Sequence, residues 1–147
     1  MLQSPQRDLA AVEELYRAAE DALVLASKRN VAYKWDHCFV LGECAVFQHD
    51  FKKDVAKAER LYKAALAADG KPTSDNFSQV ASNYAVLLHF EKHETDAARS
   101  WFKKALDANP RHDVSVGLFA HFLLAVESHR EVADVIESGR FGELAGE

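Results

Sequence analysis

Apolar residues recur three and four positions apart along most of this 147-residue chain, which is the spacing of one face of an α-helix. Apolar and polar residues do not alternate over strand lengths. Proline, which interrupts helices, occurs only at positions 5, 72 and 110. The pattern therefore predicts an all-α fold. The expected helices lie near residues 8–28, 32–50, 54–69, 75–92, 95–108, 112–127 and 130–138.

One long segment recurs after forty positions without a gap, since residues 43–70 align with residues 83–110. In both copies an alanine stands four residues before an aromatic residue. The two pairs are Ala58 with Tyr62 and Ala98 with Phe102. A small residue facing a large one lets two antiparallel helices pack closely. The repeating unit is thus a helix, a turn and a second helix.

Two weaker copies flank this pair. Residues 118–123 match residues 83–88 after a shift of 35, which predicts a third unit. Residues 14–23 resemble residues 60–69, so the N-terminal helix corresponds to a second helix on its own. We expect a single domain over 1–147. Its predicted parts are the orphan N-terminal helix at 8–30, repeat 1 at 32–70, repeat 2 at 75–110, a degenerate repeat 3 at 112–138 and a tail at 139–147.

The second copy carries a residue pattern that resembles a tetratricopeptide (TPR) repeat. The pattern consists of Tyr84, Ala85, Ala98, Phe102, Ala105, Leu106 and Pro110. Residues 54–70 also resemble a Sel-type repeat, a related helical hairpin. The chain departs from the TPR pattern in a turn that is one residue longer and in lacking the tryptophan of the first helix. The resemblance implies an αα-hairpin solenoid, a right-handed superhelix of about three hairpins plus the extra N-terminal helix.

TPR-like arrays bind peptides or helices of other proteins in a groove lined by their first helices. The resemblance therefore implies a non-catalytic interaction adaptor or scaffold, or a structural subunit of a larger assembly, that needs no cofactor. Some TPR modules bind a chaperone carboxylate through first-helix Lys and Arg, which residues 112–124 lack, so we exclude that partner. An apolar segment or an amphipathic helix suits the neutral groove better. The implied groove residues are Phe39, Val46, His49, Gln79, Ser82, Val86, His89, Val114 and His121.

The recurring histidines of this set allow two interpretations. If His49, His89 and His121 line the groove, partner binding changes between about pH 5 and 8, because imidazole titrates there. Alternatively, each ring packs beside the next helical turn and has a purely structural role.

The C-terminal end offers a second candidate interface. A helical array needs its last apolar face covered, either by the folded-back tail or by another chain. In the second case the protein would form a homo- or hetero-oligomer through this end. The residues concerned are Val132, Val135, Ile136 and Phe141.

Two alternative functions compete with the adaptor. His89 and His93 have the one-turn spacing of a metal-binding pair, which would suit a metal-binding module or enzyme, but the spacing indicates no third ligand. RNA processing by related helical repeats is the other alternative. The balance of 18 Lys and Arg against 23 Asp and Glu argues against nucleic acid as a partner, since phosphate binding favours a basic surface.

Composition adds two expectations about location. The chain has no run of eighteen apolar residues and no hydrophobic signal core, so we expect a cytoplasmic protein without a membrane span. Cys38 and Cys44 are six residues apart, so on one helix they point about 240° apart and cannot bridge.

Overall fold

The computed structural model describes residues 5–29, 34–68 and 75–126, and within these ranges it is helical without a strand. The predicted boundaries agree with the structure to within a few residues, and the all-α prediction is confirmed. The helix expected at 130–138 lies outside the described residues. The described ranges contain the helices α1 (Pro5–Arg29), α2 (Lys34–Asp50), α3 (Val55–Ala68), α4 (Asp75–Phe90), α5 (Thr95–Ala108) and α6 (Asp113–Ala125).

The chain divides into two compact units, Met1–Gly70 with α1 to α3 and Lys71–Glu147 with α4 to α6. Their border coincides with the predicted join between repeat 1 and repeat 2. The described residues of each unit therefore form one complete helical hairpin and one additional helix.

The turn of the first hairpin ends α2 with a compact set of backbone hydrogen bonds. The amides of Phe51 and Lys52 both donate to the carbonyl of Phe47, at 3.0 and 3.3 Å, and the Asp54 amide donates to Gln48 O at 2.9 Å. These bonds satisfy carbonyls that the helix end leaves without partners. Asp54 in turn caps α3, because its carboxylate accepts from the Lys57 amide at 3.0 Å.

The turn of the second hairpin repeats these bonds forty residues later. The amides of Glu91 and Lys92 donate to Leu87 O at 3.0 and 3.3 Å, and the Glu94 amide donates to Leu88 O at 2.8 Å. The left-handed residue recurs too, since φ is 56° at Lys53 and 57° at His93. Forty residues thus separate two copies of one backbone geometry as well as two copies of one sequence.

Both hairpins bury the alanines and aromatic rings that the alignment singled out. Alanine occupies the position under the neighbouring helix backbone, and the aromatic ring fills the space one turn later. The residues are fully or almost fully buried in both copies. They are Ala58, Tyr62 and Ala65 in α3, and Ala98, Phe102 and Ala105 in α5.

The additional helix of the first unit, α1, packs antiparallel on α2. Lys52 Nζ lies 3.0 Å from the Glu13 carboxylate, and the ring of Tyr16 lies 5.2 Å from that of Phe47. Residues later in α1 thus contact residues earlier in α2, as in an antiparallel pair. This is the packing expected if α1 corresponds to a second helix.

The additional helix of the second unit, α6, runs parallel to α4. Ser78 contacts Ser115 near the start of both helices, and His89 contacts Phe122 near their ends. The Phe102 ring of α5 packs on the same helix, with its centroid 5.1 Å from that of Phe122. Helix α6 therefore packs against both helices of the second hairpin.

One aromatic contact shows that α1 with α2 and α5 with α6 are equivalent pairs. By the sequence alignment Tyr16 corresponds to Phe102, and Phe47 corresponds to Phe122. The rings of Tyr16 and Phe47 are 5.2 Å apart at 39°, and those of Phe102 and Phe122 are 5.1 Å apart at 38°. The two units thus use the same contact between a second helix and the first helix that follows it.

The buried alanines generate a matched stability prediction. We expect Ala65→Leu to lower the free energy of unfolding by about 1–3 kcal/mol, because the added methylenes meet a filled helix contact. The neighbouring Ala64 is exposed on the same helix, so Ala64→Leu should leave stability within about 0.5 kcal/mol. Urea unfolding followed by circular dichroism measures both, and equal effects would contradict close packing at Ala65.

The Tyr62 phenol generates a pH prediction. Burial, and then the negative charges of Asp50 and Glu43, raise the pKa of Tyr62 above its ordinary value. The unfolded chain ionises this phenol above about pH 10 whereas the folded chain keeps it neutral, so stability is full below about pH 10 and falls as the pH rises further. Tyr62→Phe, which copies Phe102 of the other repeat, should reduce this fall. Urea unfolding of both proteins at pH 8 and above pH 10 measures this loss of stability. An equal loss in the two proteins would contradict the prediction.

Candidate partner-binding face

The start of α6 is set by a turn of four residues, Asn109 to His112. The His112 amide donates to Asn109 O at 3.2 Å, and the Arg111 amide donates to the Asn109 side-chain oxygen at 3.0 Å. Pro110 suits the second position of such a turn because its φ is fixed. The Asn109 side chain also donates to the Asp75 carboxylate at the start of α4. The turn thereby joins the end of α5 to the starts of α4 and α6.

A buried pair of serines holds α4 and α6 together. Ser78 Oγ donates to Ala105 O at 2.8 Å and Ser115 Oγ donates to Ser78 O at 3.1 Å, which leaves the two hydroxyl oxygens 2.9 Å apart. Ser115 also lies 2.9 Å from Nδ1 of His112, whose ring accepts from the Ser115 amide at the start of α6. Small side chains with satisfied hydroxyls permit a close approach of three helices. The serine pair therefore fixes the register of α4 against α6.

This register places one stripe of each helix on the same side of the pair. On α4 the stripe consists of residues one position after those that contact α6, as Gln79 follows Ser78. On α6 it consists of residues one position before those that contact α4, as Val114 precedes Ser115. Each residue turns the direction by about 100°, so opposite steps on two parallel helices that face each other point to the same side. The two stripes form what we call the α4–α6 face. Its members are Gln79, Asn83, Val86 and Phe90 of α4, and Val114, Leu118, His121 and Ala125 of α6.

The α4–α6 face is open to solvent and carries no Lys, Arg, Asp or Glu. Phe90 and Val114 are exposed by 48% and 47%, and Val86 and Leu118 are half-buried. Amide groups of Gln79 and Asn83 and the His121 imidazole supply hydrogen-bonding capacity. The face can therefore bury apolar groups of a ligand and bond to a few polar atoms, but it holds no nucleophile with an adjacent base.

Four of the predicted groove residues lie on this face, namely Gln79, Val86, Val114 and His121. Two others lie elsewhere in the unit. Ser82 is fully buried, and its hydroxyl donates to Ser78 O at 2.9 Å. His89 packs edge-on against Phe122 at 5.0 Å and has Nδ1 3.4 Å from Thr95 Oγ1. These two side chains therefore take part in the packing of α4.

In the first unit the remaining predicted residues lie on α2. Phe39 is exposed and Val46 is half-buried. They share a helix face, because they are seven residues apart. His49 is also half-buried, with Nδ1 3.7 Å from the Asp50 carboxylate. The predicted second interface, Val132, Val135, Ile136 and Phe141, lies outside the described residues.

Asn83, Phe90, Leu118 and Ala125 belong to the α4–α6 face but were not predicted. Asn83 is four residues after Gln79, and Leu118 is four residues after Val114, so helical spacing alone could have identified them. Phe90 follows Val86 at the same spacing and lies in the last turn of the predicted helix. Extending each stripe by the i, i+4, i+7 rule would have been sufficient.

The proposed metal pair loses its helical spacing in the structure. Helix α4 ends at Phe90, and His93 lies in the following turn with φ of 57°. Among residues 5–29, 34–68 and 75–126 no group of three His, Cys, Asp or Glu side chains is arranged to hold a metal ion. Cys38 and Cys44 are both buried thiols on α2.

No protein-family model matches the chain, and no curated protein or solved structure matches it either. The TPR and Sel-type resemblance therefore stays a prediction from the residue pattern. Within the described part of the chain, no helix is both long and apolar enough to cross a membrane.

The turn conformation of His93 generates a prediction that separates a backbone role from a metal-binding role. We expect His93→Gly to raise the free energy of unfolding by about 0.5–1 kcal/mol, because glycine adopts positive φ without a Cβ clash. His93→Val should lower it, since a branched Cβ is least tolerated there. Lys53→Gly, at the same position of the other turn, is the matched control and should also stabilise. Destabilisation by His93→Gly alone, measured by urea unfolding, would contradict this.

Proposed function

We propose that this protein is a TPR-like helical-repeat adaptor, or a structural subunit of a larger assembly, that acts without catalysis by holding a segment of another protein. Its second unit holds that segment along the α4–α6 face. The partner segment is an amphipathic helix or an extended apolar strand of chain. The observation that carries the proposal is the pair of uncharged, partly exposed stripes on the parallel helices α4 and α6.

The chemistry of the face supports a protein partner. Apolar side chains at Val86, Phe90 and Val114 would be removed from water on binding, which contributes about 25 cal/mol for each Å² buried. The flanking amides would bond to main-chain or polar side-chain groups of the ligand. Nucleic acid fits less well, because the face presents no Lys or Arg to phosphates.

We predict that Val86→Glu combined with Phe90→Glu abolishes partner capture by the full chain while the helicity stays unchanged. Phe90 is exposed and Val86 is half-buried, so both new carboxylates can reach water in the free protein, but they would lose their hydration in the complex. Affinity purification with quantitative mass spectrometry measures capture, and circular dichroism measures helicity.

Ser100→Glu with Lys103→Gln is the matched control, because both residues are exposed on α5 and the net charge changes by the same amount. It should leave capture unchanged. A photo-reactive residue at position 86 should cross-link the partner, and one at position 103 should not. The proposal fails if the face variant captures the same proteins, or if cross-links form from position 103 only.

A further inference from the structure

The first unit contains an apolar cleft of about 480 Å³ between α1 and α2. Six of its seven lining residues are apolar or aromatic, and Glu43 is the exception. Leu15 is exposed by 70% and Val12 by 37%, which is unusual for apolar side chains in a cleft between helices. The lining residues are Val12, Leu15, Tyr16 and Ala19 of α1, and Phe39, Val40 and Glu43 of α2.

The second unit contains the same arrangement of helices between α5 and α6. The alignment shifts α1 onto α5 by 86 residues and α2 onto α6 by 75, and the matching ring contacts of Tyr16 with Phe47 and of Phe102 with Phe122 support these shifts. Every residue that lines the cleft therefore has a counterpart. The counterparts are Ala98, Trp101, Phe102 and Ala105 of α5, and Val114, Ser115 and Leu118 of α6.

In the second unit helix α4 lies on part of this surface, while Val114 and Leu118 at its edge belong to the open α4–α6 face. Helix α4 contacts Trp101 through Tyr84, with ring centroids 5.4 Å apart. It contacts Ser115 at 2.9 Å and the Ala105 carbonyl at 2.8 Å, both through Ser78. The cleft of the first unit is thus the surface on which a helix placed like α4 would pack.

Burial of the corresponding positions shows the effect of that helix. Ala98, the counterpart of Val12, is 0% exposed, and so is Ser115, the counterpart of Val40. Val40 itself is half-buried, and Leu15 is far more open than its counterpart Trp101. The α1–α2 cleft is therefore shaped for a helix antiparallel to α1 and parallel to α2.

The differences between the two surfaces define the chemistry of the helix that fits. Val40 replaces Ser115, so the helix needs an apolar small residue where α4 has Ser78. Glu43 replaces Leu118, so the helix needs a basic residue that reaches this carboxylate. Glu43 lines the cleft together with Tyr16, and burial, followed by the negative charge of Glu43, raises the pKa of Tyr16.

We propose that the α1–α2 cleft binds an amphipathic helix of another protein, in the pose that α4 has on α5 and α6, through a small residue at Val40, a large apolar residue at Leu15 and a Lys or Arg at Glu43. This site is separate from the α4–α6 face and stands whether or not that face binds a partner. A second copy of the chain is the alternative occupant, and the test below separates the two.

The probe is a fluorescein-labelled peptide with the sequence of residues 75–90, held helical by a side-chain link between positions 79 and 83. It carries Ser78→Ala to suit Val40. It also carries Ser82→Lys, because position 82 lies between the two α4 residues that contact α6 and so falls opposite the counterpart of Glu43. Fluorescence anisotropy measures its binding to the full chain.

We expect the lysine peptide to bind, and Leu15→Glu or Glu43→Lys in the protein to weaken binding by about tenfold or more, equal to about 1.4 kcal/mol. A peptide with Ser82→Glu should prefer the Glu43→Lys protein, which reverses the charge pair. Leu124→Glu, an exposed position on α6, is the control and should change nothing.

Three outcomes would overturn the proposal. The first is no binding of the lysine peptide to the unchanged protein at about 1 mM, and the second is equal binding to the Leu15→Glu variant. The third is a dimer of the protein alone, seen by analytical ultracentrifugation and lost in Leu15→Glu, which would assign the cleft to a second copy. Circular dichroism of each variant confirms that the helices are retained.

Discussion

Close packing of alanine against a neighbouring helix is the constraint on which each hairpin depends. Ala58 and Ala98 are completely buried, and their aromatic neighbours one turn later fill the space that the close approach leaves. A larger side chain at either alanine would move the two helix axes apart and withdraw the ring from its contacts. The turns follow from the same geometry, because two helices held this closely and antiparallel need the short connection that ends α2 and α4.

The additional helices α1 and α6 pack against the hairpins, and a few residue differences at these contacts change which side chains each unit exposes. In the second unit the serine pair brings α6 against α4, and His89 is used in packing against Phe122. In the first unit Val40 takes the position of Ser115 and Phe39 takes that of Val114, and both are partly open beside α1. The two units therefore share one way of packing helices but present different chemistry to a partner, one neutral and one with a single acid.

The residues of the candidate face show what helical spacing can and cannot predict. The TPR resemblance implied Gln79, Val86, Val114 and His121, and these four lie on one side of the α4–α6 pair. Ser82 and His89 share the general direction of this stripe, and their placement depends on where α6 crosses α4. That crossing is set by contacts between residues 37 and 33 positions apart, such as Ser78 with Ser115 and His89 with Phe122.

Sequence alone determined the helices, their hairpin pairing and the buried alanine and aromatic positions, because these depend on patterns within about forty residues that occur twice. The correspondence of α1 to a second helix was also visible in its residues. Only the tertiary structure decided which side chains stay open, that His93 adopts a left-handed turn, and that the α1–α2 cleft matches the surface under α4. The reason is physical: periodicity defines which face of a helix is apolar, whereas burial of that face depends on whether another helix lies against it.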